Sequence, residues 1–195
     1  MSLKYTLLGF LNYGPQTGYD LKKHMDNSTQ FFWHAHLGQI YPTLKKMLAE
    51  GFVQSVEVPQ DGKPDKKVYG ITEEGRCAFL EWLEYPVLQL TPSKDPSLLH
   101  FFFAGILEKE KILEQLSFSL TLHRKRLYEY QHETTAYLQG IIKETGLQRE
   151  GIMWELARQF GEAYERTYVK WLEDAIEAIR KNMKEKPEKP EKEKK

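Results

Sequence analysis

Apolar residues in the first ninety positions recur at helical spacing three times and then switch to a rough alternation. Residues 4–12 carry Leu7, Leu8, Phe10 and Leu11, and the stretch Gly14-Pro15-Gln16-Thr17-Gly18 breaks that helix. Thr17 is placed to cap a second helix over residues 18–26, which carries Tyr19, Leu21 and Met25. A third helix is predicted over residues 36–50, with Ile40, Leu44, Met47 and Leu48 on its buried stripe and Gly51 as its stop. Tyr41, Lys45 and Lys46 lie off that stripe and so face outward. Residues 52–58 read as a strand, 59–65 as a turn and 66–71 as the returning strand. Thr72-Glu73-Glu74-Gly75 opens a helix ending near Tyr85-Pro86. Three helices followed by a hairpin spell a winged helix-turn-helix.

The second half changes character. Two prolines in Leu90-Thr91-Pro92-Ser93-Lys94-Asp95-Pro96 mark a domain boundary, with Asp95 as a cap and Pro96 in the first helical turn. The helix that follows carries Leu98, Leu99, Phe101, Phe102, Phe103, Ile106 and Leu107 and is apolar nearly all round, so it is expected to be buried. Residues 108–144 predict a long helix, closed by Gly146, with a stripe that includes Leu113, Leu116, Leu120, His123, Leu127, Tyr130, Thr134, Tyr137 and Ile141. A second long helix is expected over residues 152–183. Two such wide apolar faces call for a second copy of the chain, with Leu113, Leu116, Leu120, Leu127 and Tyr130 at the dimer interface and His123 a satisfied histidine on the same stripe. The fold class is therefore mainly α: an N-terminal winged helix-turn-helix over residues 1–90 and a C-terminal long-helix dimerisation domain over 95–183. Residues 184–195 repeat Glu-Lys-Pro without apolar content and are expected to be a disordered tail.

The 28 basic and 28 acidic residues cancel, so any attraction to a polyanion must come from their distribution. Lysines 22, 23, 45, 46, 63, 66 and 67 fall on the second and third helices and the hairpin, while Glu73, Glu74, Glu81 and Glu84 lie on the next helix. Cys77 is the single cysteine. It rules out an intrachain disulfide, suits a reducing cytoplasm, and beside Ala78, Phe79 and Leu80 is expected to be a packed small hydrophobe. No signal peptide and no apolar run of about twenty residues is visible, so a soluble cytoplasmic protein without membrane contact is expected.

No phosphate-cradling glycine loop, cysteine-rich metal pattern or nucleophile elbow occurs, so no catalytic residues and no cofactor are expected. His34 and His36 stand two apart without a recognisable third ligand, which argues against a metal centre. The blocks Leu7-Leu8-Gly9-Phe10-Leu11, Gly14-Pro15-Gln16-Thr17-Gly18-Tyr19-Asp20-Leu21, Ile40-Tyr41-Pro42-Thr43-Leu44 and Tyr69-Gly70-Ile71-Thr72-Glu73-Glu74-Gly75 resemble, in order, those of the PadR family of bacterial transcriptional regulators. The remainder resembles the helical C-terminal domain that longer members share with a virulence-gene activator. The resemblance implies a dimeric regulator of double-stranded operator DNA, most often a repressor, with a small-molecule inducer in some members.

On that expectation the third helix enters a major groove. His36 meets phosphate or caps the helix, Gln39 and Tyr41 approach base edges or backbone beside Pro42, and Lys45 and Lys46 contact phosphates. Tyr19 anchors a phosphate through its hydroxyl, and Lys66 and Lys67 bring the wing to the backbone. A small aromatic effector, such as a phenolic acid, is expected between the winged domain and the long helices, near Phe102 or Trp154. The alternative function is a winged-helix protein-interaction module that does not bind DNA.

Overall fold

The computed structural model describes residues 2–60, 62, 65–89 and 94–184. The expected tail therefore lies, but for Lys184, outside the described residues. The chain separates into two compact units, Met1–Leu90 and Thr91–Lys195.

The first unit holds α1 (Ser2–Leu11), β1 (Gln16–Thr17), α2 (Gly18–Asn27), α3 (Leu37–Ala49), β2 (Val53–Val58), β3 (Lys66–Ile71) and α4 (Glu73–Glu84). Its core is the set the spacing selects. Leu7, Leu8, Leu21, Met25, Ile40 and Leu44 are completely buried, joined by Leu11, Met47, Val53 and Tyr69. Each such side chain contributes roughly 1.5–3 kcal/mol through burial, which fixes α3 by its back and leaves its other face to solvent. The sheet has the order β1-β3-β2, all antiparallel, with Gln16 opposite Tyr69 and Val53 opposite Ile71. The two-residue β1 carries no hydrophobic pattern and is invisible to periodicity. Thr72 ends the sheet and starts α4: its hydroxyl donates to the Gly51 carbonyl at 2.7 Å and accepts from the Gly75 N–H. Gly75 is obligatory here, since a Cβ would lie 2.0 Å from the Phe52 carbonyl oxygen.

The second unit holds α5 (Pro96–Phe103), α6 (Lys109–Glu129), α7 (Thr135–Thr145) and α8 (Gln148–Asn182). The long helix expected over residues 108–144 is interrupted by a π turn, Tyr130–Thr134. Arg158 of α8 donates to the Tyr130 carbonyl at 3.0 Å, and the Thr135 hydroxyl does the same at 3.0 Å, so the carbonyl that the wider turn loosens keeps partners. Tyr130 lies against Gly161, where a Cβ would come within 2.2 Å of the phenol oxygen. Ala104, Ile112, Leu116, Tyr168, Leu172 and Ile176 form the core between these helices. Gly146 takes a left-handed φ of 72° and closes α7.

Two expectations fail here. The helix α5 has no buried residue: Leu99, Phe102 and Phe103 are 59%, 80% and 62% exposed. Being apolar all round does not bury a helix when only Phe101 finds the core. Cys77 is exposed rather than packed, because Gly75 and Phe79 turn the inward face of α4 away from it.

Candidate nucleic-acid interface

The outward face of the first unit begins at the start of α2. Thr17 and Asp20 form a reciprocal cap: the Thr17 hydroxyl accepts from the Asp20 N–H at 3.1 Å, and the Asp20 carboxylate accepts from the Thr17 N–H at 3.1 Å. The Thr17 hydroxyl also donates to that carboxylate and, as the largest cause, holds its pKa below the usual range; the charge of Lys66 adds to the effect. Tyr19, next along, is 64% exposed.

Gly18 decides where Tyr41 goes. A Cβ at position 18 would sit 2.6 Å from Cε1 of the Tyr41 ring, so the ring rests in a notch that only glycine leaves open. Tyr41 nonetheless stays about half exposed. Its phenol lies near that of Tyr69 on β3, whose pKa is raised first by burial and then by Tyr41. The side chain thus braces α3 against α2 and the base of the wing while still presenting an edge to solvent.

On α3, His36 is the N-cap residue and its backbone N–H donates to the Gln39 side-chain oxygen at 3.0 Å. Gln39 therefore caps its own helix, and its amide NH2 is the group it has to offer outward. Pro42 sits in the second turn, where it removes the donor for the Gly38 carbonyl at an exposed position that solvent can satisfy. Lys45 and Lys46 are both exposed. Lys46 faces Glu50 at 3.6 Å, whereas no ion pair engages Lys45 among the described residues. Lys66 and Lys67 open β3, exposed, with Lys67 directly across from Glu57. Gln39, Tyr41 and Lys45 are thus each exposed on the part of α3 that Ile40, Leu44 and Met47 do not bury, with Gln39 and Tyr41 flanking it from opposite sides; Lys46 and Lys67 each have an acid beside them that offsets their charge.

The residues assigned to a dimer interface have another use. Leu116 and Tyr130 are buried in the protomer, and Leu113 and Leu120 pack on the same α6–α8 core. Leu127 is half-buried. His123 is satisfied within the chain too: its Nδ1 lies 2.6 Å from the buried Glu165 carboxylate and its ring stacks on Tyr168 at 3.8 Å. The Tyr168 hydroxyl in turn donates to Asp95 at 2.8 Å. Exposed apolar side chains remain on both helices, Phe118, Leu122 and Tyr128 on α6 and Met153 on α8, and Ile152, Leu156, Phe160 and Tyr164 of α8 form a row of one residue in four. Of the aromatics singled out for a ligand, Phe102 is largely exposed and Trp154 half-buried. A cleft of about 260 Å³ lies instead beside Phe101 and Trp171, whose rings meet edge to face at 5.3 Å, with His100, Gln115 and Ser119 also lining it. The spacing of apolar residues could not reveal the Gly18 notch, which depends on a contact across two helices.

Among the described residues no helix is long and apolar enough to cross a membrane. Residues 7–81 match the Transcriptional regulator PadR-like family and residues 93–180 match Virulence activator alpha C-term. The negative transcriptional regulator PadR of Bacillus subtilis is 28% identical over 190 residues, 92% of this chain and 98% of that protein. The crystal structure of that PadR in complex with operator DNA matches with a TM-score of 0.75 at 28% identity, covering 92% of this chain and 99% of that one. Its complex with p-coumaric acid matches with a TM-score of 0.70 at 26% identity, over 92% and 96% of the two chains. The Vibrio cholerae virulence activator AphA matches with a TM-score of 0.68 at 25% identity, over 91% and 98%.

Proposed function

From its membership of the PadR-like family, with a virulence-activator C-terminal domain attached, we propose that the chain is a cytoplasmic, non-catalytic repressor that binds operator DNA as a homodimer and releases it on binding a small aromatic molecule. The observation that carries this reading is α3. Its back is locked by Ile40, Leu44 and Met47, and its exposed side chains include a glutamine amide, a tyrosine and Lys45, which no ion pair engages among the described residues. That combination suits a major groove, where amides and phenols reach base edges and lysines reach phosphates. Lys66 and Lys67 on the wing add backbone contacts, and the exposed Tyr19 offers a hydroxyl to a phosphate. The B. subtilis relative in its operator complex shares this fold over nearly its whole length.

Dimerisation runs through the exposed α8 row from Ile152 to Tyr164, since the α6 stripe is engaged inside the protomer. The effector is an aromatic carboxylic acid of the kind the relative binds. The cleft beside Phe101 and Trp171 has apolar walls for the ring, and His100 and Gln115 are placed to orient a polar end; Phe102 and Trp154 are the other aromatic contacts to test. The experiment is a titration of labelled duplex DNA from the region upstream of the gene, with and without a panel of phenolic acids. Sequence-dependent binding that a phenolic acid reverses supports the whole reading. Binding that no acid reverses removes the effector, and absence of binding at low salt supports a protein-interaction module.

A further inference from the structure

The connection between α2 and α3 is longer than a helix-turn-helix needs. A three- or four-residue turn joins the two helices in the usual motif, whereas here Ser28 to His36 intervene. The extra chain is not slack. The Met25 carbonyl receives N–H groups from Ser28, Thr29 and Gln30, and the Thr29 carbonyl receives those of Phe32 and Trp33, the latter at 2.7 Å. The Thr29 hydroxyl donates to the Trp33 carbonyl at 3.0 Å, and Ala35 is buried in the core of the unit. This tied turn shows solvent what proteins usually hide: Phe32 is 59% exposed and Trp33 38% exposed. The His34 ring stands beside that of His36, edge to face at 6.0 Å, and both are exposed.

Charge tells what such a surface is made to meet. Between Asp26 and Glu50 the chain contains no acidic residue, although 28 of its 195 residues are acidic. That acid-free stretch comprises the turn and α3 together, so neither brings a carboxylate of its own to repel a polyanion. It also leads directly into the N-terminal end of α3, the end that lies against base edges in helix-turn-helix complexes. Residues joined directly to an end seated in the groove are within reach of the sugar-phosphate backbone that flanks it.

We propose that the turn from Thr29 to His36 is a second DNA-contacting element, resting on the DNA-binding reading above, in which Phe32 and Trp33 pack on deoxyribose and the Trp33 indole N–H and the His34 imidazole donate to phosphate oxygens. Its contribution is to register and affinity and not to base recognition, because sugars and phosphates carry no sequence information directly.

Full-length Trp33→Ala with His34→Ala is compared with wild type and with Lys45→Ala for binding to operator and random duplexes, with hydroxyl-radical footprinting of the bound operator. The double variant is expected to bind both duplexes five- to twentyfold more weakly and to lose sugar protection at the outer edge of each half-site. His34→Glu, a surface change that leaves Trp33 in place, is expected to weaken binding at least as much by inserting an acid into the acid-free stretch. Unchanged affinity and footprint in the double variant and in His34→Glu, while Lys45→Ala loses binding, overturns the proposal and leaves the regulator standing. A shifted monomer–dimer equilibrium with intact DNA affinity also overturns it and assigns the turn to a protein contact. Absence of DNA binding by wild type and by all three variants at low salt strikes the regulator reading itself.

Discussion

At the scale of single residues, the contact between Gly18 and Tyr41 is the sharpest constraint on the proposed DNA-binding face. A methyl group at Gly18 pushes the Tyr41 ring into solvent rather than breaking the core, because the ring is the outer end of a half-exposed side chain. Gly18→Ala and Tyr41→Ala are therefore expected to weaken operator binding by similar factors, and the double variant by no more than either alone. Anisotropy titrations of the three proteins check this, and additive losses would mean that Gly18 acts through something other than Tyr41. The two recognition-helix lysines should also differ. Lys45 has a clear path to phosphate, so Lys45→Ala should reduce the slope of log affinity against log salt by about one. Lys46 already faces Glu50, so Lys46→Ala should reduce it less. Equal slopes for both variants would show that the Glu50 pair opens when DNA arrives.

At the scale of elements, the helices and hairpin of the first unit were legible because each buries one face against one core. The expected third helix, 36–50, is observed as Leu37–Ala49, and the hairpin as Val53–Val58 and Lys66–Ile71. Gly51 and Gly146 stop their helices with φ values of 78° and 72°. Illegible were features set by distant contacts: β1, which exists only because Gln16 and Thr17 pair with β3, and the π turn, which Arg158 supports from 28 residues away. The burial of Leu116 and Tyr130 belongs to the same class, since a stripe that fits a dimer partner equally fits a second helix of its own chain. The Arg158 cluster that supports the turn predicts an acid response. Arg158 donates to Glu155 and Glu162 at 2.8 Å each, and its hydrogen bond is the main reason the Glu162 pKa falls from 4.5 to about 2. A carboxylate whose folded-state pKa is depressed stabilises the fold above its unfolded value and loses that contribution as pH falls through the folded one. Wild type should therefore exceed Glu162→Gln in stability at pH 6, with the difference shrinking from about pH 4.5 and gone near pH 2, as read by denaturant melts along the pH series. A difference independent of pH would show that Glu162 acts through packing.

At the scale of the whole molecule, the proposed regulator acts as two copies on two half-sites. Asp at Leu116 should unfold the second unit, because Leu116 lies in its core and an unpaired buried charge costs several kcal/mol. Asp at Leu156 and Phe160 should leave each protomer folded, both being exposed, yet yield a monomer in sedimentation. With the dimer should go the affinity gained from linking two half-sites. A double variant that stays dimeric moves the interface off the α8 row. The most direct measurement for the central claim is selection of duplexes from a random pool by the full-length protein, followed by titration of the enriched sequence against a scrambled one over a salt series. The account predicts an enriched inverted repeat, with half-sites about one helical turn apart, bound roughly a thousandfold more tightly than the scrambled duplex with an affinity that falls steeply as salt rises; enrichment of no sequence, with no duplex bound at low salt, would contradict it.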